Sequence, residues 1–438
     1  MSEAAEITRE QAIAEGINID EIMRKATREA EKKSKLAPVF LERKSFAGSA
    51  VSTGSLCIDW KMGGGIPPSR TIGIAGPERA GKSLLVTEIL NNQLADGRHG
   101  VYFDSEGGTD PIFLSVRGIN FDHYLGTRNK KGDLKPGEKD QIHYYQPSTG
   151  NEVLHFISKV CLALPENRNP LKPPVIFMLD SVVGLLPDNF DIDKGAMAMQ
   201  ARMYADFMKL VGSAMSKTGC SFVYTNQLRK NPGAGQFENP EYEPCGSTLQ
   251  YGSSLRLRLK STKPKLFDKD HPFTHKDSVV IPGGEWKANG VWQEPHVGTD
   301  GTVDENGLDR YVYTGISTIK NRVYTPNQFC WMRIQFEENG STGKGLDPVF
   351  DIFTFLLETG FIIPAELTPE EKKAKVRVAE IKGKYEATAQ NGFDPISEFD
   401  LPPRFNYYEF KKWVYQDNAK ALTKKIRDKM IVSGLVYE

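Results

Sequence analysis

Cysteine is scarce in this sequence. Cys57, Cys161, Cys220, Cys245 and Cys330 are the only five in 438 residues, and no two stand in C-x-x-C spacing. That excludes a disulfide scaffold and a zinc ribbon and fits reduced thiols packed inside the fold. An excess of one charge is also lacking: Lys plus Arg number 56, as do Asp plus Glu. Bulk charge therefore attracts no polyanion, and a nucleic-acid partner would have to be met by local basic patches. Long apolar runs are missing as well. None reaches the roughly 20 residues of a membrane span, and the polar start MSEAAEITREQAIAEG has no secretion signal, so the expectation is a cytoplasmic protein without a membrane partner. Histidine is sparse, and His271, His275 and His296 match no metal-site spacing, which makes them solvated loop residues. No repeat of solenoid period is present.

What is present organises into three parts. Residues 18–35 place Ile19, Ile22, Met23, Ala26 and Ala30 on one helical face, and a possible strand follows at 38–46. Residues 1–44 thus read as an arm that must pack on something, either a neighbouring subunit or its own domain. From 45 to 363, short apolar strands alternate with helical stretches, the pattern of an α/β fold with a buried, mostly parallel central sheet. Within it, residues 263–313 are rich in Gly, Pro and Asp and read as an inserted loop or small β excursion. Residues 364–438 form a small C-terminal domain that opens at Thr368-Pro-Glu-Glu371 with capping-box spacing. Its basic run KALTKKIRDK is a solvated helix face in preference to a duplex-DNA contact.

The chemistry centres on GPERAGKS, Gly76 to Ser83, between an apolar strand and an apolar helical run. In G-x-x-x-x-G-K-S, consecutive backbone N–H groups and a helix N-terminus surround a polyphosphate. Lys82 reaches its terminal phosphates, and the Ser83 hydroxyl takes Mg2+. The strand PVIFMLD ends at Asp180, where a carboxylate belongs beside Ser83 and the metal. GVYFDSE ends in acids too, and Glu106 is the candidate to polarise an attacking water; the alternative is a cap or a solvated charge. CSFVYT leads into Asn226 and Gln227, then into the long loop 228–246. Its glycines, Arg229, Lys230 and Phe237 suit a segment that orders around a phosphate backbone or wedges between bases.

The chain resembles the RecA family of recombinases from about residue 51 to 362. The resemblance rests on ordered blocks: VSTGSLCIDWKMGGGIPPSR, GPERAGKS, FDSEGGTDPIF, QPSTG, VIFMLDSVVGLLP, QARMYADFMKL, TNQLRK, FENPE, CGSTLQYGSSLRLRL and ISTIKNRV. It looks most like a bacteriophage member such as UvsX. The resemblance implies a RecA-like P-loop ATPase core and a DNA-dependent ATPase that forms a helical homopolymer on single-stranded DNA. That polymer would pair the bound strand with homologous duplex DNA in recombination and repair, in the cytoplasm of a phage-infected host, aided by single-strand-binding and mediator proteins.

Carried onto this sequence, it implies that Gly76, Pro77, Glu78, Arg79, Ala80, Gly81, Lys82, Ser83 and Leu84 hold ATP. Asp110 and Phe113 lie at the adenine, and Ser83 with Asp180 hold Mg2+. It makes Glu106 the catalytic glutamate and Gln227 the link from γ-phosphate to the DNA loops, with Lys320 and Arg322 reaching a neighbour's ATP. DNA would be met by Lys194, Arg202 and Lys209, and by the second loop's Arg229, Lys230, Phe237 and Gly246. Phe113 stands where bacterial members usually place tyrosine and Arg322 where the family commonly has lysine, and three further features depart from the family: an acidic first DNA loop near 187–195, the 263–313 insertion, and a basic rather than acidic C-terminus. Two alternatives stand beside this reading, a ring helicase or packaging motor on the same core fold and a non-catalytic ATP-binding DNA accessory protein.

Overall fold

The computed structural model describes residues 49–108, 124–127, 129, 135, 140–165, 172–188, 196–230, 241–261, 285–286, 291–297, 303–336, 343–366, 368–370, 384–416 and 418–437. The chain divides into two units, 1–44 and 45–438. The first, with the expected arm helix and strand, lies outside the described residues.

The second unit is built on one large sheet. Its strands are β1 (Thr71–Gly76), β2 (His99–Asp104), β3 (Ile142–Tyr145), β4 (Val175–Asp180) and β5 (Ser221–Gln227), then a short ribbon of β6 (Arg229–Lys230) and β7 (Glu241–Tyr242), then β8 (Leu255–Ser261). In the order β8-β1-β5-β4-β2-β3 the main strands are all parallel. Helix α1 (Leu56–Met62) precedes β1, and α2 (Lys82–Ala95), α3 (Gly150–Ala163), α4 (Ala196–Thr218) and α5 (Ser247–Gly252) lie in the connections between the strands.

Strand alternation explains why this sheet is covered on both faces. Ile72, Ile74, Tyr102, Ile176, Met178 and Val223 turn to the side of Leu85, Ile89 and Leu90 on α2. Val101, Phe103, Phe177, Leu179, Phe222 and Tyr224 turn to the side of Ile157 on α3 and Phe207 and Val211 on α4. Burying both faces requires apolar residues in succession, and TIGIAG and VIFMLD meet that need. All five cysteines are free and buried.

Beyond β8 the sheet turns antiparallel. It gains β9 (Glu285–Trp286), β10 (Trp292–Val297), β11 (Val303–Asn321), β12 (Phe329–Phe336) and β13 (Gly343–Leu346). The described part of 263–313 is therefore strand joined to the central sheet through β11, rather than a loop set apart from it. His296 is one of its strand residues, and its Nδ1 lies 3.1 Å from Asp309 Oδ1. His271 and His275 lie outside the described residues.

The chain then passes through α6 (Pro348–Glu358) into a three-stranded sheet of β14 (Ile362–Pro364), β15 (Lys384–Ala387) and β16 (Arg404–Asn406). With these run α7 (Pro395–Phe399), α8 (Tyr407–Gln416) and α9 (Ala419–Ile426). This C-terminal region belongs to the same compact unit as the core. Buried charges join the two. Lys411 on α8 donates to Glu294 Oε1 at 3.2 Å and Asp309 Oδ2 at 2.9 Å. Arg333 on β12 bonds Asp347, Glu294 and the Tyr407 hydroxyl. Arg427 donates to Asp59 Oδ2 at 2.8 Å. Lys420, Lys424, Lys425 and Lys429 of the basic run are exposed, and Lys429 meets Glu398 at 3.2 Å. Among the described residues no helix is long and apolar enough to cross a membrane.

Candidate nucleotide site and nucleic-acid interface

Strand register brings Gly76 beside Gln227 and Asp104 beside Asp180, so the ends of β1, β5, β4 and β2 form one carboxyl edge. In open α/β sheets that edge is where ligands bind. The GPERAGKS loop leaves β1 here. Gly81 stands in the left-handed region, φ 86°, directly before α2, and no side chain caps the helix. Its first amides are thus available to an anion. A Cβ on Gly81 would come within 2.8 Å of Ile334 Cδ1, so glycine is required by both conformation and space. Lys82 Nζ donates to the carbonyls of Gly76 at 3.0 Å and Pro77 at 2.7 Å, which seats the ammonium inside the loop. Burial lowers the pKa of that ammonium below its ordinary value, while Asp180, Glu106 and Glu78 act in the opposite direction. An uncapped helix start, a glycine cradle and a seated lysine fit a polyphosphate. The Ser83 hydroxyl and the Asp180 carboxylate are oxygen donors of the kind Mg2+ takes.

Beside the loop, Glu106 joins a hydrogen-bonded cluster. Its Oε1 accepts from Ser181 Oγ at 2.5 Å and from Gln227 Nε2 at 2.9 Å. Ser105 Oγ donates to the Ser181 carbonyl at 2.5 Å and accepts from the Ser181 amide at 2.9 Å, locking the two strand ends together. Asp104 Oδ1 accepts from the amides of Glu106 at 3.2 Å and Gly107 at 2.9 Å, and its Oδ2 accepts from Tyr144 at 2.7 Å. Asp180 accepts from Tyr102 at 3.0 Å and from Thr225. Sequence reading missed Tyr102, Tyr144, Thr225 and Ser181 as donors. Each sits within two residues of a strand end, but strands that are distant in the chain must first be set side by side.

The long loop starts at the same edge, where the Leu228 amide donates to the Gly76 carbonyl at 3.2 Å. Arg229 and Lys230 are exposed on β6, which pairs with β7 and closes the loop's stem. Asn226 Nδ2 holds the far end through the Pro244 carbonyl at 3.2 Å. Gly246, φ 85°, packs so tightly on α4 that an added Cβ would lie 2.9 Å from that of Ala201. The neighbouring Arg202 is exposed, and so is Lys209 two turns along α4.

Lys320 and Arg322 stand elsewhere. Lys320 is the β11 partner of Arg256, which in turn lies beside Gly73 near the start of β1. They are therefore toward the opposite end of β1 from Gly76, on the order of 10 Å along the strand. Lys320 Nζ donates to the carbonyls of Gln250 at 3.1 Å and Tyr251 at 2.8 Å, while Arg322 is exposed. Burial, with Arg322 and Arg256 nearby, lowers the Lys320 pKa. Asp110, Phe113, Lys194 and Phe237 lie outside the described residues.

The RecA N-terminal domain family model matches residues 19–136 and 138–280, more than half of the chain. The chain belongs to the RecA family. Protein RecA of Clostridium novyi is 29% identical over 215 residues, covering 48% of this chain and 54% of its own length. Protein RecA of Trichodesmium erythraeum is 27% identical over 216 residues, 49% of this chain and 52% of its own. That of Anaplasma marginale is 28% identical over 237 residues, 53% and 58%. The chain spans about half the length of the curated RecA relatives it matches. The RecA-family match takes in the glycine loop, Glu106, Asp180, Gln227 and the ribbon.

Proposed function

We propose that this RecA-family protein is an ATP-dependent strand-exchange protein of the bacteriophage UvsX type. It polymerises head to tail on single-stranded DNA and tests homology by pairing that strand with duplex DNA, in the host cytoplasm. The observation that carries this reading is the Glu106–Gln227 hydrogen bond. The residue suited to activate water touches the residue that opens the β6–β7 ribbon and its loop, so DNA grip and hydrolysis share one strand.

ATP bound with Mg2+ supplies a phosphoryl group whose transfer needs positioned water and charge neutralisation. The loop amides and Lys82 bind and orient the phosphates, and Ser83 with Asp180 hold the metal. Glu106 Oε1 is held by two donors, which leaves Oε2 to accept a proton from water. Lys320 and Arg322 stand apart from their own chain's glycine loop, which supports their acting on a neighbour's nucleotide. A head-to-tail contact that does not close on itself yields a helical filament. Arg202, Lys209, Arg229 and Lys230 hold DNA by its phosphates, leaving sequence to base pairing. Single-strand-binding and mediator proteins belong to the same proposal as partners.

The test is ATP hydrolysis with and without single-stranded DNA across a salt series. Stimulation that fades as salt rises is expected, because phosphate-dominated binding releases counterions. Turnover indifferent to DNA would overturn the coupling through Gln227.

A further inference from the structure

We infer that Tyr102 and Tyr144 are paired positioning residues of the nucleotide site, fixing its two strand-end carboxylates relative to each other; the inference rests on the ATPase reading above. Tyr102 on β2 is the register partner of Tyr144 on β3. Their rings stack with centroids 5.9 Å apart and planes 10° from parallel. Both hydroxyls point to the carboxyl edge, one to each carboxylate. Tyr102 donates to Asp180 Oδ2 at 3.0 Å, and Tyr144 donates to Asp104 Oδ2 at 2.7 Å.

Asp104 and Asp180 are themselves register partners on β2 and β4. The four groups therefore close a rectangle across three strands, with ring stacking on one side and backbone pairing on the other. Each carboxylate has a separate task. Asp180 is the metal-side acid, and Thr225 engages its other oxygen. Asp104 receives the amides of Glu106 and Gly107 on Oδ1, so it sets the turn that aims Glu106. Tyr144 thus acts on Glu106 through one intermediate, and Tyr102 acts on the metal side directly.

Gln146 Nε2 donates to the Tyr144 oxygen at 3.4 Å, which leaves the phenolic proton for Asp104. Burial, then the bond to Asp104, push the Tyr144 hydroxyl up to about 12, so it stays a donor throughout the working pH range. Phenylalanine at either position would keep the ring and its stack and remove the bond to the carboxylate, together with the long Gln146 contact at Tyr144. That makes the hydroxyls separable from the fold.

The experiment compares full-length Tyr144→Phe, Tyr102→Phe and unaltered protein by three readouts. These are hydrogen exchange at the Glu106 and Gly107 amides, affinity for a fluorescent ATP analogue over a Mg2+ series, and kcat for ATP. Tyr144→Phe should speed exchange at those two amides about tenfold and lower kcat about tenfold, with nucleotide affinity unchanged. Tyr102→Phe should leave that exchange unchanged and raise the Mg2+ needed for half-maximal nucleotide binding several-fold.

Wild-type exchange and kcat in Tyr144→Phe would overturn the inference. Loosening spread over the whole sheet would overturn it too, because the role would then be structural. If the unaltered protein bound no nucleotide, the ATPase reading would fall. Local loosening in Tyr144→Phe would still uphold the tyrosine's hold on the turn, so the two failures are told apart.

Discussion

Glu106→Gln separates binding from chemistry more cleanly than any other single change at this site. The carboxylate's Oε1 already accepts from Ser181 at 2.5 Å and Gln227 at 2.9 Å. A glutamine can present its carbonyl oxygen to the same two donors, so the cluster and the start of the ribbon keep their geometry. What disappears is the proton acceptor at the other oxygen and one negative charge. A positioned general base contributes about 10²- to 10⁴-fold, or about 3–5 kcal/mol of barrier. The variant should therefore lose that factor in single-turnover phosphate release and bind ATP within about threefold of the original. The lost charge is also one of three that hold the proton on Lys82, so the ammonium pKa falls further below its ordinary value. Turnover within tenfold of the original would refute the argument. So would loss of nucleotide affinity at an unchanged melting temperature, which would make Glu106 a scaffold residue.

Two further outcomes follow from geometry away from the loop. Lys320→Ala protein and Lys82→Ala protein should each fail to hydrolyse ATP alone, yet a one-to-one mixture should recover about a quarter of full activity through junctions that pair an intact loop with an intact Lys320; a mixture as inactive as its parts would refute the action of Lys320 across a junction. Lys411→Met leaves Glu294 and Asp309 buried without their shared cation and should lower unfolding stability by about 3–5 kcal/mol in urea titrations at neutral pH. Burial alone would raise the Asp309 pKa, but Lys411 and His296 outweigh it and hold it below the usual carboxylate value. The stability so gained is present above the unfolded pKa of about 4 and is lost as pH falls through the lower folded value, so the deficit of Lys411→Met should shrink on acidification. A deficit independent of pH would disprove that assignment.

The glycine loop and the strand-end acids of the candidate nucleotide site were legible because their signals are local. A glycine loop needs eight consecutive residues, and an apolar strand with a terminal acid needs seven. The donors around those acids were not legible. Tyr102, Tyr144, Thr225 and Ser181 meet only because β5, β4, β2 and β3 lie side by side in an order unlike that of the chain. Whether 263–313 was loop or β excursion stayed open in the sequence for another reason. β10 reads WQEPHV, with no apolar alternation, because its inward Glu294 is fully buried against Arg333 and Lys411 instead of against hydrocarbon. A buried ionic network and a surface loop look alike in composition, and only the partners tell them apart.

The placement of Lys320 near the start of β1 and of the glycine loop at its other end bears on how activity scales with assembly. On the head-to-tail reading proposed above, a protomer would carry one half of a catalytic centre at each end, so a free protomer would hold none that is whole, and a chain of n protomers would hold n − 1. Hydrolysis then counts junctions rather than molecules. Specific activity should rise steeply with protein concentration and level off once chains are long, and severing a long chain in the middle should cost one active centre however many molecules it contains.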